Sequence, residues 1–236
     1  MGIYQTPVVI DPFSTIWWQC IIAVVASIVL IVSLPFYWKK LQHKNYAIFI
    51  AIILLINTIV EQWYNIHNGF WNLQQSIPGH LCSISNILCI FLLFNYKQWL
   101  AECIYYWGLL GGIHAILTPE LVMGNKGYNF FSYFISHGGL ILVVVYMIKH
   151  MNFKPRRKSW LWVMGYSQII VLGVGIINYV VDANYMFLRE RPLVNNPLII
   201  GEWPYYIVVF ELMAILHFGL FYLPFAKKNR LVTAQA

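Results

Sequence analysis

The chain has 236 residues, 60% of them hydrophobic and 10% charged, with a formal net charge of +7. A soluble domain carries roughly 25% charged residues, so an ordinary soluble fold is excluded. The positive charge does not point to nucleic acid, because the basic residues sit in short stretches between apolar blocks and form no soluble basic face.

Those blocks are about 20 residues long, the length that crosses the hydrocarbon core of a bilayer. They predict an all-α polytopic membrane protein, a bundle of seven transmembrane helices in one domain covering residues 1–236. The spans fall at about 16–37, 46–66, 80–94, 101–118, 130–148, 160–181 and 204–225. The third is short for a bilayer. The alternating polar-in pattern of an outer-membrane barrel is absent. Trp17, Trp18, Trp38, Trp63, Trp99, Trp160 and Trp203 cluster at span ends, as interfacial aromatics do. The first apolar run follows Asp11 and no basic residue, so no cleavable leader is expected.

Orientation follows from the cations. Lys39, Lys40, Lys44, Lys97, Lys149, Lys154, Arg156, Arg157, Lys158, Lys227, Lys228 and Arg230 fall in one set of loops. Only Lys126, Arg189 and Arg191 fall in the other. The positive-inside rule then places the N-terminus outside and the C-terminus in the cytoplasm of a cell membrane.

Nearly every costly polar residue lies in the outer half. Asn57, Glu61 and Asn65 share one face of the second span at i, i+4 and i+8. His80 and Cys82 open the third, with Asn86 a turn further on. His114 and Thr118 end the fourth, and His137, followed by Gly138 and Gly139, lies in the fifth. Asn178 and Asp182 close the sixth, before Asn184 and Arg189 in the outer loop. Ionisable groups at membrane depth mark sites or buried partners. The asymmetry predicts an outward-facing polar cavity, with His217 a structural residue of the inner half and Glu211 without an evident partner.

A thiol needs a base to become a nucleophile, and His80, His114 or His137 qualifies for Cys82. On a regular helix, His80 and Cys82 would point about 200° apart. If Pro78-Gly79 leaves His80 in the cap, its ring turns back toward the bundle. Glu61 needs a partner, with Arg189, His80 and His137 as candidates. Glu61 or Asp182 would orient the base, and Asn86, His114 or Asn184 would donate to an oxyanion. Arg189 is placed to meet a phosphate, and an apolar cleft would hold an acyl tail. A zinc site built from the same imidazoles and carboxylates is the rival, although no H-E-x-x-H or H-x-x-x-H pair exists. No metal or cofactor is therefore assigned. The four cysteines have no finger spacing, and neither a phosphate-binding glycine loop nor a G-x-S-x-G elbow is present.

His80-Leu81-Cys82, Leu117-Thr118-Pro119-Glu120-Leu121, His137-Gly138, Asn184-Tyr185-Met186-Phe187-Leu188, Trp203-Pro204 with Tyr206, and Leu223-Pro224-Phe225 fall in order along the chain. Their order and spacing resemble the YwaF-like family of bacterial integral membrane proteins, over about Glu61 to Phe225. That family resembles, more distantly, the eukaryotic transmembrane protein 164 group, associated with acyl transfer onto ether lysophospholipids. In that group a cysteine directly precedes the motif histidine, where this chain has Gly79; Glu202 stands where the bacterial pattern usually has proline. The resemblance implies an acyltransferase or acyl hydrolase whose partners are membrane lipids. A carrier or ligand-binding protein, a metal-dependent intramembrane hydrolase and a helical partner subunit are the alternatives. Against a carrier stand the lack of an inverted repeat and of broken helices in matching halves.

Overall fold

The computed structural model describes residues 7–38, 43–192 and 199–234. Lys39 and Lys40 lie outside the described residues, as do the side chains of Lys227, Lys228 and Arg230. Among the described residues seven helices follow in order: α1 Thr15–Tyr37, α2 His43–His67, α3 Leu81–Phe94, α4 Gln98–Leu117, α5 Tyr128–His150, α6 Ser159–Val181 and α7 Tyr205–Ala234. Six of them are long and apolar enough to cross a membrane. The protein is a multi-pass membrane protein.

The helix α3 has 14 residues, so it rises about 21 Å and falls short of a hydrocarbon core about 30 Å thick. Its start explains the shortness. His80 is the N-cap in extended conformation, and the preceding loop holds Pro78 and Gly79. The apolar part of the last helix that can cross a membrane is Tyr205–Ala226, close to the expected 204–225, and α7 itself continues to Ala234 with Pro224 inside it.

Helices α4 and α5 form the centre, and small residues let them close on one another. A methyl group on Gly108 would sit 3.3 Å from Val144, and one on Gly112 would meet the carbonyl of His137 at 3.0 Å. The helices α2 and α3 pack beside this pair, and α1 packs on α5. In contrast, α6 and α7 turn most of their surface outward. Apolar side chains facing outward are what lipid requires of a bundle's outer helices.

Two features stand apart from the helices. Val8–Val9 (β1) pairs antiparallel with Glu120–Leu121 (β2), and the Trp17 indole donates to the Leu117 carbonyl at 2.9 Å. These bonds tie the N-terminal segment to the end of α4. A single 3-10 turn, Tyr185–Phe187, folds back between α6 and α7. Tyr185 is fully buried there. It accepts from the Ile77 N–H and donates to the Leu73 carbonyl, so the 3-10 turn holds the loop that precedes α3. Burial pushes the Tyr185 phenol up to about 12, which keeps it a neutral donor.

Candidate functional site

A cavity of about 460 Å³ opens among the ends of α2 and α4 and the starts of α3, α5 and α7. It lies at the end of the bundle opposite the lysine-rich loops. Glu61, His80, Cys82, Asn86, His114 and His137 all line it. The tertiary fold therefore brings six of the nine sequence candidates into one space.

The two central imidazoles are fixed in complementary states. A backbone N–H can only donate, and the Met186 N–H gives its hydrogen to His80 Nδ1 at 3.2 Å. Neutral His80 therefore carries its proton on Nε2 and is a donor there. A backbone carbonyl can only accept, and the Tyr133 carbonyl accepts from His137 Nδ1 at 2.8 Å. Neutral His137 therefore keeps a lone pair on Nε2. This geometry takes His80 out of the role of base, since its lone pair already accepts from the Met186 amide.

Cys82 sits in the first turn of α3 beside α4, with Gly111 opposite. A methyl group on Gly111 would come within 2.7 Å of the Cys82 sulfur. The absence of a side chain at 111 gives the thiol its place. Gly79 is equally constrained: a Cβ there would meet the Tyr185 ring at 2.4 Å. The packing leaves no room for a cysteine directly before His80.

The other candidates are placed as follows. Glu61 pairs with none of its expected partners. It accepts from Ser132 Oγ at 2.5 Å, and Ser132 in turn accepts from the Asn57 amide at 3.2 Å. Asn57 also donates to Ser136 at 3.0 Å and accepts from Tyr128 at 2.8 Å. The Asn86 amide gives one of its two hydrogens to the Cys82 carbonyl at 3.1 Å, which fixes its orientation. His114 and His217 face each other with their Nε2 atoms 3.4 Å apart. His217 gives its Nδ1 hydrogen to the Met213 carbonyl at 2.7 Å, so its Nε2 accepts and His114 donates. His217 is thus the partner of a cavity residue across α4 and α7, a correction to its reading as an isolated inner-half residue. Glu211 also has a partner, accepting from Gln168 at 2.9 Å.

Asp182, Asn184 and Arg189 stand apart from the cavity. Asp182 and Arg189 form an exposed ion pair at 2.5 Å beside a smaller depression. The Asn184 side chain accepts from the Arg189 and Glu190 amides and donates to the Glu190 carbonyl. It shapes the loop. Among the described residues, no three His, Cys, Asp or Glu side chains gather as a metal-holding group.

Sequence reasoning missed Ser132, Ser136 and Tyr133. Ser132 and Ser136 stand four residues apart on α5, and Ser136 immediately precedes His137. That spacing was the available signal.

A model of the TMEM164 family matches residues 12–222. The chain belongs to the TMEM164 family. The match spans α1 through most of α7 and so includes every residue of the cavity. No curated protein and no solved structure matches the chain significantly.

Proposed function

We propose that this TMEM164-family protein is an acyltransferase or acyl hydrolase of membrane lipids. On this reading it crosses the cell membrane seven times, α3 included, as a bacterial YwaF-like branch of the family. Its N-terminus lies outside, and its cavity opens toward the outer half of the bilayer. The orientation rests on the lysine-rich loops opposite the cavity. One observation carries the chemistry: a donor imidazole, an acceptor imidazole and a thiol line one cavity.

In the proposed reaction, Cys82 Sγ attacks the carbonyl carbon of a lipid ester and its proton passes to His137 Nε2. The His80 Nε2–H donates to the oxyanion that develops. A carbon–sulfur bond forms as the bond to the lipid alcohol breaks, and His137 returns the proton to the departing oxygen. A second lipid hydroxyl then takes the acyl group from the thioester, or water does, which distinguishes transfer from hydrolysis. His137 serves as base in that half as well. Glu61, held by Ser132 in the same cavity, accepts a second hydrogen where the incoming group is water or a diol.

The test is acyl exchange between labelled lipids in proteoliposomes. Wild type is expected to turn lipid over, and Cys82→Ala and His137→Gln to lose about 10²–10⁴-fold. Full turnover by Cys82→Ala removes the thiol route and leaves His137 acting directly on a hydroxyl. No exchange, together with a solute uptake that depends on Glu61, favours a carrier.

A further inference from the structure

Polar side chains of membrane helices face the interior of a bundle unless a partner waits outside it. Gln168 and Glu211 break that pattern. Gln168, near the middle of α6, is exposed, and its amide donates to Glu211 Oε2 of α7 at 2.9 Å. Glu211 is half-buried and lies about 9 Å along α7 from Tyr205. That one bond is all their pairing among the described residues. It leaves Glu211 Oε1, the Gln168 amide oxygen and one Gln168 N–H unmatched on the side of the bundle that faces lipid. No water is there to satisfy them.

Gln168 also stands on a seam. Leu161, Gly165, Gln168, Leu172, Gly175 and Tyr179 follow at alternating steps of four and three, the repeat of a coiled coil. Leu172 is 70% exposed and Tyr179 88%. A methyl group on Gly165 or Gly175 would meet nothing within 4 Å. The stripe beside this seam, with Ile169, Ile176 and Val180, is bulky, apolar and exposed, as a lipid-facing surface should be. Two glycines and an amide gain nothing from lipid. They suit a helix that approaches closely and brings hydrogen-bonding groups with it.

The unmatched groups say which helix that is. A donor and acceptors stand in the same place, so the set is complementary to itself. Every copy of the chain enters the membrane the same way round, and a two-fold axis along the membrane normal sets α6 parallel to α6 of a second copy. Residues of a parallel seam meet their own counterparts. Gln168 then faces its counterpart, and the spare N–H of each reaches the spare oxygens of the other. We infer that the α6 seam is a homodimer interface, closed at Gly165 and Gly175 and held in register by Gln168 with Glu211. No described residue of α6 lines the cavity, so each copy keeps its own. The interface is independent of the acyl-transfer reading.

Full-length protein carrying Leu172→Cys is reconstituted in liposomes and oxidised with copper phenanthroline. Wild type and Val25→Cys, a site 53% exposed on α1, are treated beside it. Disulfide-linked dimer is expected from Leu172→Cys alone. Energy transfer between donor-labelled and acceptor-labelled wild type is then followed as added lipid dilutes the protein. Gln168→Leu and Gly175→Leu are each expected to weaken the dimer by about tenfold, the first by removing interhelical hydrogen bonds and the second by holding the helices apart. Unfolding midpoints in detergent check that both variants fold, and the Leu172→Cys result decides the matter if either does not. Monomer at every dilution overturns the inference. So does equal linkage at Leu172 and Val25, and so does a dimer indifferent to both substitutions. The same oxidation in native membranes overturns it if Leu172→Cys links to a different protein and never to itself.

Discussion

The two ends of the bundle each hold a carboxylate, Glu102 on α4 and Glu61 on α2, and they are treated in opposite ways. At the lysine-rich end, Glu102 is 2% exposed and saturated. Both its oxygens bond the Arg156 guanidinium, one at 2.8 Å, and Glu102 also accepts from the Arg156 backbone N–H at 2.7 Å and from Gln98 at 3.2 Å. These bonds hold the Arg156 guanidinium above its ordinary range. Tyr106 and Ser159 share a further bond at 2.8 Å nearby. At the cavity end, Glu61 bonds a serine that belongs to a chain of neutral side chains, and it looks onto open space. A carboxylate with every lone pair matched by a donor locks two elements together. One left partly unmatched beside a cavity is available to something that enters.

That contrast is broken most sharply by removing the chemistry at one end. Cys82→Ala and His137→Gln are expected to abolish most turnover and to leave the unfolding midpoint within a few degrees of wild type. A collapse in midpoint would make the cavity end structural like the other.

The next largest effect belongs to the saturated end. Arg156→Ala leaves Glu102 buried without its cation and is expected to cost about 3 kcal/mol of stability. Glu102→Gln leaves Arg156, which is largely exposed, free to take up water and is expected to cost less. Denaturation of the two variants in detergent measures the asymmetry, and turnover per folded molecule should be unchanged in both. Equal costs would mean that Arg156 gains as much from the pair as Glu102 does.

Gly111→Ala sharpens the cavity end. The new methyl group meets the Cys82 sulfur, and overpacking of this kind costs about 1–3 kcal/mol. The thiol is displaced with it, so turnover should fall while alkylation of Cys82 by a small maleimide changes rate. Gly173→Ala on the outer face of α6 is the control, since nothing lies within 4 Å of the position. It is expected to stabilise by up to about 1 kcal/mol, read from the unfolding midpoint. If Gly111→Ala matched that control, the thiol would have room the geometry denies it.

The smallest expected effect is at His217. His217→Phe removes the acceptor that holds His114 across α4 and α7 and should alter turnover by less than about tenfold, because His217 lies outside the cavity lining. A loss as large as that of His137→Gln would put the α4–α7 imidazole pair in the reaction.

Much of the bundle could be read from the chain. The length of each apolar block in lipid dictates a helix, since only a helix satisfies its own backbone there. The end that would hold the polar groups was legible as well, because Asn57, Glu61, His80, His114 and His137 all map to the same depth once the helices run in alternating directions. Pro78 and Gly79 in the loop announced the cap that frees the His80 side chain.

What the sequence by itself determined was therefore which residues share a level. Which of them meet was decided only by the tertiary structure. Helices bathed in lipid are apolar on nearly every face, so periodicity does not tell the inward face from the outward one. The partners also come from distant parts of the chain: Met186 for His80, His217 for His114, Ser132 for Glu61 and Arg156 for Glu102. Those contacts fix the tautomer of each imidazole, and with it which ring gives a proton and which takes one. No local spacing encodes that, because the deciding hydrogen bond of His80 is to a backbone amide about a hundred residues away.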